Sequence, residues 1–310
     1  MPNPVLEQLF RRRALWVTGK GGVGKSSISA ALALLSSQRG FRTLLIDVQA
    51  TGDAARFLDA SPPRYDAREA QPNLFHLALH PEEVLDEYLE VALRMPRVRR
   101  LGPLRKVFDF IATGAPGVKE VLIPGKVGFE ERAVERGRPR WDVIVVDAAP
   151  SGQVTSHLRG PRTIQEMVGV GMIRNQTQWV REIVEDPEKT GIVVVALPEE
   201  MPVVETQELL QRLPNEVNTP VLSIVANRVV DAPKDREALP ALARAKSELG
   251  AAAPAVDAAL LEAELADDQA EHVETLRSLG PPTLCVPLLA WDHHDLAATR
   301  RIAEALDETA

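Results

Sequence analysis

The chain has 310 residues, room for one large α/β domain or two smaller ones. Hydrophobic residues make up 45% and charged residues 26%, too apolar for a disordered chain, and with aromatics at 4% the core has to be built from Val, Leu, Ile and Ala. The net charge of −8 argues against nucleic acid or an anionic membrane being held by the whole surface, and the single cysteine, Cys285, excludes a disulfide scaffold, a four-cysteine zinc site or a cysteine-ligated iron–sulfur cluster within one chain.

Near the start, Arg11, Arg12 and Arg13 are followed by only five residues, Ala14–Thr18, before a glycine-rich stretch. The apolar core of a signal peptide needs about 7–15 residues. No apolar run nears the ~20 residues of a membrane span. The expectation is a soluble, cytoplasmic protein. Short runs at Ala14–Thr18, Arg42–Asp47, Asn73–Leu79, Asp142–Asp147, Ile192–Leu197, Val221–Ala226 and Thr283–Pro287 read as strands. Several are apolar on both faces, as strands covered by helices on both sides must be. Between them, Ser27–Gln38, Pro81–Arg94, Met201–Leu213, Glu237–Leu249, Ala255–Leu279 and His294–Leu306 carry helical patterns. The alternation predicts a doubly wound, mostly parallel α/β sheet. Residues 81–140 hold helical pieces and no convincing strand, and 158–187 reads as one long or two short helices. These two stretches are expected to form a helical subdomain on one edge of a single domain, residues 1–310.

The chemistry is carried first by Gly19-Lys20-Gly21-Gly22-Val23-Gly24-Lys25-Ser26, which satisfies G-x-x-x-x-G-K-[ST] between an apolar strand and an amphipathic helix. Glycines let backbone N–H groups turn inward around phosphate oxygens. The helix that follows adds its N-terminal partial positive charge. Lys25 can reach the β- and γ-phosphates, and the Ser26 hydroxyl can bind Mg²⁺. Farther on, Val143–Val146 ends in Asp147, a Walker B pattern whose carboxylate holds Mg²⁺ directly or through water.

Lys20 adds a second lysine at the head of the loop. The resulting K-G-G-x-G-K-S resembles the deviant Walker A motif of the MinD, ParA, nitrogenase iron protein and Get3/ArsA ATPases. Ala148-Ala149-Pro150-Ser151-Gly152-Gln153 resembles the switch II element D-T-A-P-T-G-H-T of the Get3/ArsA branch. Gly114–Glu120 is similar to that branch's P-G-x-x-E element, Pro198–Thr206 to its stretch after the strand that follows the helical subdomain, Ile224–Arg228 to its V-N-x strand end, and Val286-Pro287-Leu288 to its late loop. By these motifs the chain is similar to short bacterial members of the Get3/ArsA family, a P-loop NTPase fold.

The resemblance implies an ATPase using ATP and Mg²⁺. Gly19, Gly21, Gly22, Val23, Gly24, Lys25, Ser26 and Ser27 would line the phosphates, with Ser26 and Asp147 on the metal. Asn227 would read adenine and Pro287 would close over the base. Lys20 would act across a dimer interface on the partner's nucleotide, and Gln49, Asp47 and Gly152 would be the hydrolysis-sensitive switches. The implied partners are a second copy or a paralogue, and a client, with transient membrane association where the client is a membrane protein.

The departures also matter. Asp47-Val48-Gln49 stands where the family has D-x-D, so Gln49 replaces the acid that polarises the attacking water. A glutamine orients a water but is a poor base, so slow turnover is expected, or Asp47 or Asp53 serves instead. The absent C-x-x-C argues against zinc, and the missing family cysteines against arsenite transport and nitrogenase-like electron transfer. Only Met167 and Met172 lie in the segment after switch II, so a Met-rich client groove is not evident. Two rivals remain at this stage: a weakly hydrolysing, nucleotide-gated binding module or heterodimer partner, and a ParA/MinD-like positioning ATPase. The six bases between Arg94 and Lys106 read as a solvated helix face rather than a nucleic-acid site. His293 and His294 read as surface or helix-start histidines, and Leu296–Leu306 is too poor in bases for a membrane-targeting helix.

Overall fold

The computed structural model describes residues 3–62, 64–92, 118–167 and 172–308. The basic segment around 94–106 and the start of the Gly114–Glu120 element lie outside the described residues.

The N-terminal helix α1 (Pro4–Phe10) precedes the first strand, β1 (Ala14–Gly19), and the glycine loop leads into α2 (Lys25–Gln38). Then come β2 (Thr43–Asp47), the one-turn α3 (Asp53–Phe57), β3 (Arg68–Gln71), β4 (Leu74–Ala78), α4 (Pro81–Ala92) and α5 (Val118–Arg132). A tiny hairpin, β5 (Val134–Glu135) and β6 (Arg138–Pro139), leads to β7 (Val143–Asp147), α6 (Ser151–Met167) and α7 (Met172–Val184). The C-terminal third is β8 (Thr190–Ala196), α8 (Glu200–Glu216), β9 (Val221–Val229), α9 (Leu239–Arg244), α10 (Ala253–Ser278), β10 (Thr283–Pro287) and α11 (Leu296–Glu308).

One eight-stranded sheet has the order β10-β9-β8-β1-β7-β2-β4-β3, parallel except for β3, which runs against β4. The pleat sorts its residues. Leu15 and Val17 of β1, Leu45 of β2 and Val145 of β7 face α2 and α11, packing on Ile28, Leu32, Leu35 and Ile302. Ala14, Trp16, Leu44, Ile46 and Val146 face α4 to α8. Every residue of β1, β2, β7 and β8 is buried. Their apolar runs follow from helices covering both faces of a parallel sheet. A fully buried Leu or Ile contributes about 1.5–3 kcal/mol, so Val, Leu and Ile carry most of the core, with Trp16 and Trp141 the largest buried side chains among the described residues.

Three sequence expectations are corrected. The stretch 81–140 does contain strands: the β5–β6 hairpin turns at Arg136 and Gly137, both at positive φ (53° and 79°), but two-residue strands are too short to show periodicity. The expected helix Glu237–Leu249 breaks into α9 and 3-10 turns at Arg236–Ala238, Lys246–Glu248 and Gly250–Ala252. Pro240 confines α9 to a fresh start, and Gly250 sits at φ 52°. Finally, Asn73 is a turn residue at φ 60° between β3 and β4 rather than the start of a strand.

Candidate nucleotide site

In a parallel sheet all carboxyl ends share one edge, and where the strand order reverses they open a crevice. Here β1 lies between β7 and β8, and Gly19, Asp47, Asp147 and Asn227 come to that edge. At Gly19 the backbone passes so near β8 that a Cβ would lie 2.1 Å from the Val195 carbonyl oxygen. At Gly24 the loop turns with φ 92°, and a Cβ would lie 2.4 Å from Asn227 Nδ2. Only glycine fits either position. The start of α2 then presents unsatisfied backbone N–H groups to the loop.

Lys25 is buried, its Nζ donating to the Lys20 carbonyl at 3.0 Å. Burial lowers its pKa, and the charge of Asp147 opposes that. An ammonium so placed is poorly compensated until a polyanion reaches it. Asp147 is also buried; the Ser29 hydroxyl donates to its Oδ1 at 3.1 Å, and the Ser26 hydroxyl lies near enough to favour its charged form. Burial pushes its carboxyl up to about 6, opposed by the nearby Ser26 hydroxyl and reinforced by the charge of Asp47. The loop after β7 is tied to β1, with Ala148 N–H on Val17 O at 3.0 Å and the Thr18 hydroxyl on Ala149 O at 2.9 Å. Gly152 follows, exposed, in the first turn of α6.

Asp47 stands directly across the β2–β7 register from Asp147. Its Oδ1 accepts from the N–H groups of Gln49 (3.0 Å) and Ala50 (2.8 Å), and its Oδ2 from Gly52 (3.1 Å). Burial raises its pKa all the same. The loop curls around this carboxylate, with Ala50 at φ 53° and Gly52 at φ 78°. Asp47 is thus occupied by the amides of its own loop, and Asp53 pairs with Arg56 at 2.9 Å. The Gln49 side chain is exposed.

Lys20 meets Glu205 of α8 in an ion pair of 2.7 Å, each side chain about one-third exposed at 35% and 33%. Asn227 is buried at the end of β9 and its Nδ2 donates to Val23 O at 2.8 Å. Pro287 ends β10, where the register with β9 shifts and Leu288 N–H bonds to Val229 O at 2.7 Å. The sequence did not point to Ser29, Thr18 or Glu205. His294 does sit just before α11, as a helix-start residue, but the sequence did not show that it stacks on Phe57 with ring centroids 3.7 Å apart and lies 3.4 Å from the Ser27 hydroxyl. That contact joins residues 267 positions apart, and nothing local in the sequence announces it.

The chain that assembles Lys25, Asp147 and Asn227 at this edge is similar to known proteins. The chain matches the profile of the anion-transporting ATPases over residues 12–179 and 162–249. It belongs to that family. Among similar proteins, "ATPase BagA" of Mycobacterium tuberculosis (strain ATCC 25618 / H37Rv) is 28% identical over 94% of this chain and 91% of its own. "ATPase GET3" of Komagataella phaffii is 26% identical over 74% of this chain and 77% of its own. A "putative arsenical pump-driving ATPase" of Halobacterium salinarum is 24% identical over 69% of this chain but only 35% of its own length. The Get3/ArsA resemblance and the α/β fold read from the sequence are both borne out. Among the described residues, no helix is long and apolar enough to cross a membrane.

Proposed function

We propose that this anion-transporting-ATPase family member binds Mg²⁺–ATP at the ends of β1, β2 and β7, hydrolyses it slowly, and uses the cycle within a dimer to bind or target a client. The observation that best supports this is the convergence of Lys25, Ser26 and Asp147 on one crevice at the head of α2. The donor set suits magnesium: a hydroxyl and a carboxylate, both hard oxygens, beside a loop shaped for phosphates. Among the described residues no group of three or more His, Cys, Asp or Glu gathers to hold a metal. Magnesium held by one serine, one carboxylate, waters and phosphates needs none. When bound, the cation neutralises charge on the phosphates.

In this reading the amides of residues 19–24 hold the phosphates, Lys25 leaves the Lys20 carbonyl to pair with them, and Gln49 orients water. Gln49 supplies an acceptor and a donor but no strong base. Asp47 acts as the anchor of the Gln49 loop, since its oxygens already serve three amides. Asn227 and Pro287 bound the base end, Gly152 starts the second switch, and Lys20 is released from Glu205 to reach a partner. We assign the whole chain to one P-loop unit whose helical part, built from α4 to α7, responds to the nucleotide. A cytoplasmic location belongs to the same proposal.

The test is Lys25→Ala. Charge stabilisation in a dry site is worth several kcal/mol, so ATP turnover should fall at least 100-fold, on the order of 3 kcal/mol. Unchanged turnover in a phosphate-release assay would refute the site.

A further inference from the structure

His294 gathers three elements at one imidazole. Its ring lies flat on Phe57 at the end of α3, with an interplanar angle of 16°, and Trp291 leans on it at 5.0 Å. On the other side Nδ1 is 3.4 Å from Ser27 Oγ, in the first turn of α2. From α11, Thr299 Oγ1 is 3.2 Å from Nε2.

Hydrogen-bond arithmetic assigns the tautomer. Thr299 is fully buried and its hydroxyl has one proton, with the carbonyls of Phe57 at 2.7 Å and Asp295 at 3.0 Å positioned to take it. Toward His294 it therefore accepts, so Nε2 carries the hydrogen. In the neutral ring Nδ1 is bare and accepts the Ser27 hydroxyl proton. A single hydroxyl proton cannot serve both Nδ1 and a phosphate oxygen at the head of α2. If the ring gains a proton, Nε2–H stays on Thr299, the new Nδ1–H donates to Ser27 Oγ, and the serine proton is free to turn outward.

We propose that His294 is a positioning residue of the nucleotide pocket that sets the direction of the Ser27 hydroxyl, taking one proton from solvent as a nucleotide phosphate arrives. This rests on the nucleotide reading above. No covalent bond changes, and Ser27 keeps its proton throughout. The charged groups around the ring are Arg56 and Asp53 from α3, Arg228 from the end of β9, and the adjacent Asp295. The elements α2 and α11 bring the uncharged Ser27 and Thr299. Burial first, then Arg56, hold the free ring below its ordinary pKa, which keeps it neutral while the pocket is empty. A polyanion beside Ser27 works in the opposite sense.

The experiment titrates ADP with Mg²⁺ into the full chain at pH 7, by calorimetry in two buffers of different ionisation enthalpy. Wild type should take up a larger fraction of a proton than His294→Phe, which keeps the stacked ring but has no nitrogens. Between pH 8 and pH 6 its affinity should strengthen by about threefold or more relative to that variant. Ser27→Ala should remove the same excess, and the double variant should lose nothing further. Equal proton uptake by wild type and Ser27→Ala overturns the proposal even if His294→Phe does not fold. Wild type that binds ADP with the same uptake as His294→Phe overturns it while leaving the nucleotide reading intact. Wild type that does not bind ADP at all overturns both.

Discussion

Asp147 shows how a single side chain can be costly to the resting fold and useful to the bound one. Its carboxyl is held at about 6, above the ordinary 3.8, chiefly by burial. A raised carboxylate pKa means that ionisation is disfavoured in the folded state. The penalty is absent below about pH 4, accumulates as pH rises to about 6, and is complete above that. The gap corresponds to on the order of 3 kcal/mol. Asp147→Asn should therefore raise the melting temperature of the nucleotide-free protein at pH 7.5, with a smaller gain at pH 5. Lys25 loses a nearby negative charge and takes back part of the benefit. The same variant should lose the Mg²⁺ dependence of nucleotide affinity. Scanning calorimetry at both pH values checks the first expectation, and nucleotide titration with and without Mg²⁺ checks the second. The place of Asp147 at the end of a buried strand was legible because an apolar run ending in Asp is a local pattern. Its neighbours Ser29 and Thr18 were not, because nothing in the sequence says which face of α2 or β1 meets β7.

Among the elements, α5 and α6 touch backbone to backbone. A Cβ on Gly160 would lie 2.3 Å from the Glu120 carbonyl oxygen, and backbone cannot swing aside as a side chain can. Gly160→Ala should push the helices apart and cost about 1–3 kcal/mol, read as a lower denaturation midpoint. Because α6 begins directly after the Asp147 loop, turnover should fall as well. An unchanged midpoint would mean that the crossing is looser than this geometry. Nearby, Lys126 is 2.8 Å from both Glu87 and Glu130, and Trp141 Nε1 donates to Glu130 at 2.8 Å, joining α4, α5 and the start of β7. Longer helices such as α2, α8 and α11 were legible from their periodicity and the buried strands from their unbroken apolar runs. The edge strand β3 was not, because Arg-Glu-Ala-Gln is polar and pairs on one side only. The α1 helix was passed over although Asn3 caps it, accepting from Val5 N–H at 3.0 Å, with Pro4 in its first turn. Seven residues carry too little pattern to compete with the arginines that follow.

For the whole molecule, the proposed dimer cycle begins from a lysine already engaged. Glu205 holds Lys20 within one chain, and on the same helix Met201 and Val204 are 58% and 43% exposed. An ion pair this open to solvent contributes about 0–1 kcal/mol, so a nucleotide phosphate can displace it readily. Lys20→Ala should leave ADP affinity of the single chain within about twofold, since the amides and Lys25 remain, while removing any mass increase produced by a non-hydrolysable ATP analogue. Light scattering with and without the analogue measures this. A variant that assembles like the parent would show that Lys20 works within its own chain.

The bond from Asn227 to Val23 fixes more than the end of a strand. With Nδ2 turned toward the glycine loop, the other end of the amide is an oxygen, which can only accept. A base that offers an amino group complements it, and a base that offers a carbonyl at the same position sets two acceptors against each other. Leaving such a group unpaired in a buried site costs about 1–3 kcal/mol. The loop that grips the phosphates would thereby also choose the base, through the rotamer it imposes on one asparagine. Competition titrations should accordingly find ATP preferred to GTP by about tenfold or more.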